Sequence, residues 1–88
     1  MFYNTKVKVY DYPGSTLIKT IYADLQPYSA TLNLDYGLSL EISHRLFCDY
    51  IKDIGANSYL KIDCDYYKVM DIKTWSDYLE IYLYKCQR

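Results

Sequence analysis

The side chains that could do chemistry are few, and their spacing keeps them apart. His44 is the only histidine, and the nearest cysteine, Cys48, follows four residues later. A nucleophilic site needs a base beside the nucleophile, whereas four residues of extended chain separate the two side chains by roughly 13 Å. His44 also lies between Ile42 and Leu46 in an alternating pattern. The pattern therefore predicts a packed or edge imidazole in a strand.

The other reactive side chains do not form a catalytic or metal-binding pattern either. Asp63 and Asp65 flank Cys64 in a short reversal, where aspartate is favoured because it hydrogen-bonds its own backbone. With Cys48 and Cys86, the cysteines number three at wide spacing, which suits a reduced compartment more than a disulfide framework. A zinc site would need a Cys-x-x-Cys pair or a second histidine. We therefore expect no enzyme activity, no metal and no cofactor.

Length and charge bound the remaining possibilities. The 88 residues suffice for one small domain, and an aromatic share of 18% argues against disorder. Ten Lys and Arg residues against eleven Asp and Glu residues give a net charge of −1 without a block of like charge. The basic footprint of an ordinary nucleic-acid-binding protein is therefore absent from the sequence. The chain also lacks an apolar run of membrane-spanning length or a signal-peptide core, so we expect a cytoplasmic protein.

Alternation of apolar and polar residues, the period of β-strands, dominates the chain. It predicts six strands at about residues 3–12, 16–25, 37–47, 58–63, 66–73 and 78–85. Pro27 cannot donate to a ladder, so the second strand is expected to end there, and the segment 48–57 is a connection with room for one helical turn. The prediction is a mainly β chain: one domain over residues 1–88, a small antiparallel β-barrel of about six strands with little helix.

Tyrosine accounts for 13 of the 88 residues. On the last strand, Tyr78, Tyr82 and Tyr84 alternate with aliphatic residues and so share one face. Such a face is compatible with three interpretations: rings covered by loops or reaching water with their hydroxyl groups, a protein interface, or a surface that stacks nucleotide bases. The near-neutral charge weighs against the third.

Six short motifs follow one another over about residues 21–84. They are Asp24-Leu25-Gln26-Pro27-Tyr28-Ser29, Tyr36-Gly37-Leu38, Arg45-Leu46-Phe47-Cys48-Asp49, Tyr59-Leu60-Lys61-Ile62, Tyr66-Tyr67-Lys68-Val69 and Trp75-Ser76-Asp77-Tyr78-Leu79-Glu80. Their order and spacing resemble the head–tail joining, or stopper, proteins of long-tailed bacteriophages and the related connector proteins of prophages.

The resemblance implies a structural role in the neck of a virion. Proteins of this family are small β-barrels that form a ring beneath the portal and adaptor, close the DNA channel after packaging and dock the tail. The implied partners are portal and adaptor proteins, tail proteins, further copies of the chain in the ring, and genomic DNA in the channel, without a membrane. The implied location is the host cytoplasm during assembly and then the virion neck.

The resemblance also implies roles for particular residues. The connection after the second strand forms the gate in this family, and the matching segment is about Gln26–Tyr36. The gate candidates are Gln26, Pro27, Tyr28, Ser29, Ala30, Thr31, Leu32 and Asn33. Trp75 and Tyr78 match the turn into the last strand and are expected to pack and close the barrel. From the tyrosine pattern, the exposed Tyr10, Tyr82 and Tyr84 of the first and last strands are interface candidates.

Two alternative functions remain open on the sequence. One is a tail-completion or minor capsid protein of the neck, built on a similar small barrel. The other, from a different class, is a single-strand nucleic-acid-binding barrel in which tyrosines stack bases, and it predicts salt-sensitive oligonucleotide binding.

Overall fold

The inward-facing side chains of six strands share one enclosed interior, and the strands wrap around it as a closed antiparallel barrel. The computed structural model describes residues 3–33, 37 and 39–86, with Leu32 described by its backbone alone. The strands are β1 (Thr5–Tyr10), β2 (Lys19–Asn33), β3 (Ser39–Asp49), β4 (Tyr59–Ile62), β5 (Asp65–Thr74) and β6 (Tyr78–Lys85). Their order around the barrel is β1-β2-β3-β6-β5-β4, and β4 pairs back onto β1. The predicted six-stranded antiparallel barrel is confirmed.

Small and medium aliphatic residues fill the barrel. Val7 and Val9, which the alternation places on one face of β1, are fully buried. Every other strand contributes side chains to the same core, and the largest fully buried ones are Leu46, Leu60, Ile81, Leu83, Val69 and Cys48. The two-residue period of each strand therefore separates an apolar interior from a polar and aromatic outer wall.

The segment between β3 and β4 covers one end of the barrel. Ile54 is buried and Ile51 packs against the core, while the backbone between them is irregular. The helical turn that we considered for this segment is therefore not formed; the two isoleucines reach the core from a loop. Among the described residues there is no helix. In the turn between β4 and β5, Asp63 adopts a φ of 56°, which aspartate tolerates better than most residues. The two strands pair antiparallel, so the predicted β4–β5 hairpin is confirmed.

The prediction that the second strand ends near Pro27 is wrong. β2 continues through Pro27, which lies opposite His44, to Asn33. The register shifts between Pro27 and Ala30, so a bulge accommodates the irregular backbone. β1 begins at Thr5, which pairs with Ala23 of β2. The described residues of β2 after Ala23 therefore have no partner in β1 and pair with β3 alone. Pro27 therefore lies on a one-sided stretch of strand, the position in which a sheet tolerates proline.

The last residues of β2 and the first residues of β3 form a two-stranded ribbon. Ala30 pairs with Ile42 and Asn33 pairs with Ser39. β3 pairs with β6 only from His44 onward, so in the described residues no third strand flanks this ribbon. We call residues 30–33 and 39–42 the hairpin arm. Leu34, Asp35, Tyr36 and Leu38, which the sequence placed in the gate segment or the third strand, lie outside the described residues.

Truncation of a core residue tests the arrangement of the interior. Leu46 is fully buried, so Leu46→Ala removes packing and leaves a cavity, and we expect the free energy of unfolding to fall by about 2–5 kcal/mol. Urea denaturation of the purified chain measures this loss. Leu17 is 43% exposed, and the control Leu17→Ala is expected to change stability by less than about 0.5 kcal/mol. Equal losses in the two variants would contradict the assigned core.

Candidate assembly surface

Glu80 is buried on the outer wall of the barrel. Its neighbours in β6, Leu79 and Ile81, point into the core, so the alternation of the strand directs Glu80 outward. The residue is nevertheless only 8% exposed. A buried carboxylate is tolerated when charged or hydrogen-bonding groups compensate it. The side chains that surround Glu80 therefore define this part of the wall.

Three side chains compensate the Glu80 carboxylate. Trp75 Nε1 donates a hydrogen bond to Oε1 at 3.2 Å, and the Tyr82 hydroxyl donates one to Oε2 at 2.7 Å. Arg45 Nη1 lies 3.8 Å from Oε2, and Arg45 Nε donates to Gln26 Oε1 at 3.1 Å. One carboxylate therefore links β2, β3, β6 and the β5–β6 turn through side chains alone.

Aromatic rings flank the Arg45 guanidinium group. Its Cζ atom lies 4.7 Å from the ring centroid of Tyr28 and 5.3 Å from that of Phe47. The Tyr28 ring in turn lies 5.7 Å from that of Tyr82. Arginine between aromatic faces gains cation–π attraction while keeping its charge on the carboxylate. This stacking fixes the orientation of Arg45 at the surface.

The Trp75 side chain is held in place and half exposed. Its ring stacks on Tyr78 with centroids 6.1 Å apart and an interplanar angle of 22°, and its indole N–H is bound to Glu80. Trp75 is nevertheless 47% exposed. We name the whole group the Glu80 cluster, comprising Gln26, Tyr28, Arg45, Phe47, Trp75, Tyr78, Glu80 and Tyr82.

The position of Tyr82 differs from the exposed one that we expected. Tyr82 is 6% exposed, because its hydroxyl turns back to Glu80 and its ring packs beside Tyr28. Tyr84 and Tyr10 are half-buried. In the order of the barrel, β1 and β6 are not neighbours, and Tyr59 of β4 and Lys68 of β5 lie between Tyr10 and Tyr84 in the register.

Trp75 and Tyr78 do not close the barrel, contrary to the expectation from the turn motif. Both contribute to the outer wall, and the barrel closes elsewhere, through β1 and β4. The alternation in β6 already placed Tyr78 and Glu80 on one face. The sequence did not predict which side chains cover Glu80. Arg45, Tyr28 and Phe47 come from β2 and β3, which are distant from β6 along the chain.

The gate candidates fall into two groups. Gln26 and Tyr28 belong to the Glu80 cluster, and Gln26 also donates to Asp24 Oδ2 at 3.0 Å. Residues 29–33 continue as strand, so the expected loop is wrong for the described part of this segment. Ala30 to Asn33 lie in the hairpin arm, with Leu32 opposite Leu40 in the register. Tyr36, at the end of the proposed gate segment, lies outside the described residues.

An open groove runs between the hairpin arm and the end of β6. Its volume is about 430 Å³, and Thr31, Glu41, Ser43 and Tyr84 are among the residues that line it. Ser43 Oγ accepts a hydrogen bond from the backbone N–H of Lys85 at 2.8 Å. This bond continues the contact between β3 and β6 past their last ladder pair, so the base of the arm is fixed to the barrel.

The chemistry-bearing residues of β3 are packed. The His44 imidazole lies edge-on to Tyr67, with ring centroids 5.1 Å apart, and its Nδ1 lies 2.9 Å from Ser43 Oγ. Burial, and then the Lys85 ammonium group, lower the pKa of His44. Burial also raises the pKa of the Cys48 thiol to about 11, so the thiolate that nucleophilic attack needs is scarce at neutral pH. The sequence predicted a packed or edge imidazole in a strand, and His44 is half-buried in β3 against Tyr67.

Within the described ranges, no group of three or more His, Cys, Asp or Glu side chains could hold a metal ion. The same part of the chain holds no apolar helix of bilayer-spanning length. No model of a protein family, no curated protein and no solved structure matches this chain.

The hydroxyl of Tyr82 provides a test of the Glu80 cluster. Tyr82→Phe removes a hydrogen bond to a buried carboxylate, so we expect the free energy of unfolding to fall by about 1.5–3 kcal/mol. Urea denaturation measures this loss. Tyr22 is 59% exposed, and the matched control Tyr22→Phe is expected to change stability by less than about 0.5 kcal/mol.

The same variant has a signature in pH dependence. Burial, and then the Glu80 carboxylate, raise the pKa of Tyr82 from 10.0 to about 12. The unfolded chain therefore releases this proton more readily than the folded chain, and the stabilisation is complete below pH 10 and is lost as the pH rises towards 12. Tyr82→Phe is expected to make the decline in stability over this range shallower. Identical slopes in the parent and the variant would contradict the buried position of the phenol.

Proposed function

We propose that this chain is a structural protein of a phage or prophage neck, a head–tail joining or stopper protein. It forms a ring beneath the portal–adaptor complex, closes the DNA channel after packaging and docks the tail. The six motifs in the sequence suggest the neck, and the Glu80 cluster is the observation that supports an assembly role.

The Glu80 cluster has the composition of a protein interface. Tryptophan, tyrosine and arginine are the residue types that carry most of the binding energy at protein interfaces. In this cluster Arg45, Tyr78 and Trp75 are held by stacking and by bonds to Glu80 before any partner binds. Preorganised side chains lose less conformational entropy on association. The exposed half of the Trp75 ring is therefore suited to insert into a partner surface.

The hairpin arm supports the gating part of the proposal. It extends past the part of the wall in which β3 pairs with β6, and Thr31, Asn33, Ser39 and Glu41 in it are exposed. A two-stranded ribbon without a third strand is the part of such a barrel that can enter a channel without disrupting the core. We therefore restrict the gate to the arm and assign Gln26 and Tyr28 to docking, because they belong to the Glu80 cluster.

Substitution of Trp75 tests the docking surface. Trp75→Ala removes the exposed ring, and we expect it to weaken binding to DNA-filled, tailless heads of the encoding phage or prophage by about tenfold or more. Co-sedimentation of the purified chain with such heads measures the binding. Circular dichroism verifies that the barrel remains folded, and Trp75→Phe, which keeps a ring for stacking, is expected to retain part of the affinity.

Tyr12 provides the matched control for this experiment. It is 62% exposed in the β1–β2 connection and is not a member of the Glu80 cluster, and Tyr12→Ala is expected to bind heads as the parent does. Normal binding of a folded Trp75→Ala variant would remove the cluster from the docking surface. Failure of the parent chain to bind heads at all would overturn the neck function.

Shortening the arm tests the gate. Ala30 and Ile42 lie directly opposite each other, so residues 31–41 can be replaced by a two-residue Asn-Gly turn that suits such a pair. The buried Ile42 and the core are retained, and we expect a folded protein that still joins heads and tails. The heads are expected to leak DNA, measured as nuclease-sensitive genome after packaging. Full retention of DNA by the shortened variant would contradict gating by the arm.

A further inference from the structure

The outer side of β1, β4 and β5 carries a second surface with a composition of its own. Its cations are all lysines and its rings are all tyrosines, and alternation directs each of them away from the core. We call this surface the lysine–tyrosine face: Lys6, Lys8, Tyr10, Tyr59, Lys61, Tyr66 and Lys68. Its β1–β4 part lies across the barrel from β3 and β6, and therefore from the centre of the Glu80 cluster, whereas β5 is a neighbour of β6 and Lys68 pairs with Tyr84.

Two lysines of this face oppose each other where the barrel closes. Lys8 of β1 is the direct cross-strand partner of Lys61 of β4, and like charges in such pairs destabilise a sheet. Lys6 joins them around a hollow of about 190 Å³ whose fourth lining residue is Asp63. Three ammonium groups and one carboxylate give this hollow a net charge of +2. Packing of the barrel does not account for this accumulation of positive charge.

Tyrosine rings hold two of the four ammonium groups, those of Lys61 and Lys68, at the surface. Lys61 Nζ lies 5.5 Å from the ring centroid of Tyr66, and Lys68 Nζ lies 4.8 Å from that of Tyr59. Tyr10 contacts the Tyr66 ring edge-on at 6.0 Å. Cation–π contacts of this kind leave the ammonium hydrogens available to an anion. The face therefore presents positioned positive charges on neighbouring strands.

The residue types favour a polyanion over a protein surface. Lysine is depleted from protein interfaces, where arginine is preferred, yet every cation of this face is a lysine. Adjacent strands lie about 4.8 Å apart, so lysines on neighbouring strands form a closely spaced row of positive charges. Such a row matches a ligand that carries negative charges at short, regular intervals. The phosphodiester backbone does so, and it binds proteins mainly through lysine and arginine contacts. Tyrosines beside such a row can stack on bases without selecting among them.

We propose that the lysine–tyrosine face binds the phosphodiester backbone of nucleic acid without reading its sequence. The sequence shows no block of positive charge for this surface, because Lys6 and Lys8 are separated from Lys61 and Lys68 by more than half of the sequence. The inference goes beyond the neck function and does not depend on it. In a neck ring, binding of this kind would direct the lysine–tyrosine face towards the DNA in the channel.

Removal of the opposed lysines tests the proposal on the purified chain. Fluorescence anisotropy follows its binding to labelled single-stranded DNA and duplex DNA of about 20 nucleotides or base pairs, at about 50 mM and about 200 mM salt. Lys8→Gln/Lys61→Gln is expected to weaken binding about tenfold at the lower salt, and to reduce the slope of log K against log salt by about 2. Thermal unfolding of this variant is expected at or above the parent temperature, because the like-charge pair is gone.

The control changes the net charge equally. Lys52 lies in the β3–β4 connection and Lys73 lies beside Tyr82, both outside the face, and Lys52→Gln/Lys73→Gln is expected to bind as the parent does. Binding of either DNA that depends on Lys8 and Lys61 supports the proposal, and the two probes distinguish strand types. Three results would overturn it: no binding at low salt, equal losses in both double variants, or tighter lysine-dependent binding to poly-glutamate than to DNA.

The outcomes separate this inference from the neck function. Oligonucleotide binding by a chain that does not associate with heads would leave the inference standing and remove the proposed function. Association with heads by a chain that binds no DNA would support the proposed function and overturn this inference.

Discussion

The rest of the structure depends on the closure of the barrel through β1 and β4. The contact consists of three residue pairs, and the central one, Val9 with Leu60, places two fully buried side chains in the core. Without it, β1 and β4 would be free sheet edges, which promote association with other chains. Once the wall is closed, each strand residue lies inside or outside, and contacts between barrels must be made by side chains or by the hairpin arm.

Closure also explains why polar interactions are concentrated on the outside. The buried core consists of aliphatic side chains with Cys48 and Tyr67, and alternation along β3 and β6 directs Arg45 and Glu80 to the outer wall. Burial of Glu80 there depends on a layer of side chains and not on the sheet. Removing one partner of a buried carboxylate leaves its charge less compensated, which costs more than that interaction contributes when intact. The hydrogen bonds and the ion pair to Glu80 therefore support the same carboxylate together.

Local periodicity was sufficient to predict the barrel but not its surfaces. β6 was predicted at its observed bounds, and the inward direction of Leu79 and Ile81 followed from alternation alone. The misplaced end of β2 came from the expectation that Pro27, which cannot donate to a ladder, ends the strand, whereas in the register Pro27 continues β2 and pairs with β3 alone. The burial of Tyr82 depends on Tyr28, which is 54 residues away in sequence (82 − 28 = 54). No periodicity along the chain encodes such a contact.

The two outer surfaces illustrate why net charge is a poor guide to partners in a small barrel. Arg45 is compensated by a buried carboxylate and stacked between rings, so little of its charge is left for a polyanion. Lys8 and Lys61 instead face each other across a ladder, and an anion between them would relieve their repulsion. The first arrangement suits association that buries aromatic rings, and the second suits association that neutralises charge. Because strand order centres the first surface on β3 and β6 and the second on β1 and β4, both can be occupied at once, as the proposed position between a protein ring and a DNA channel would require.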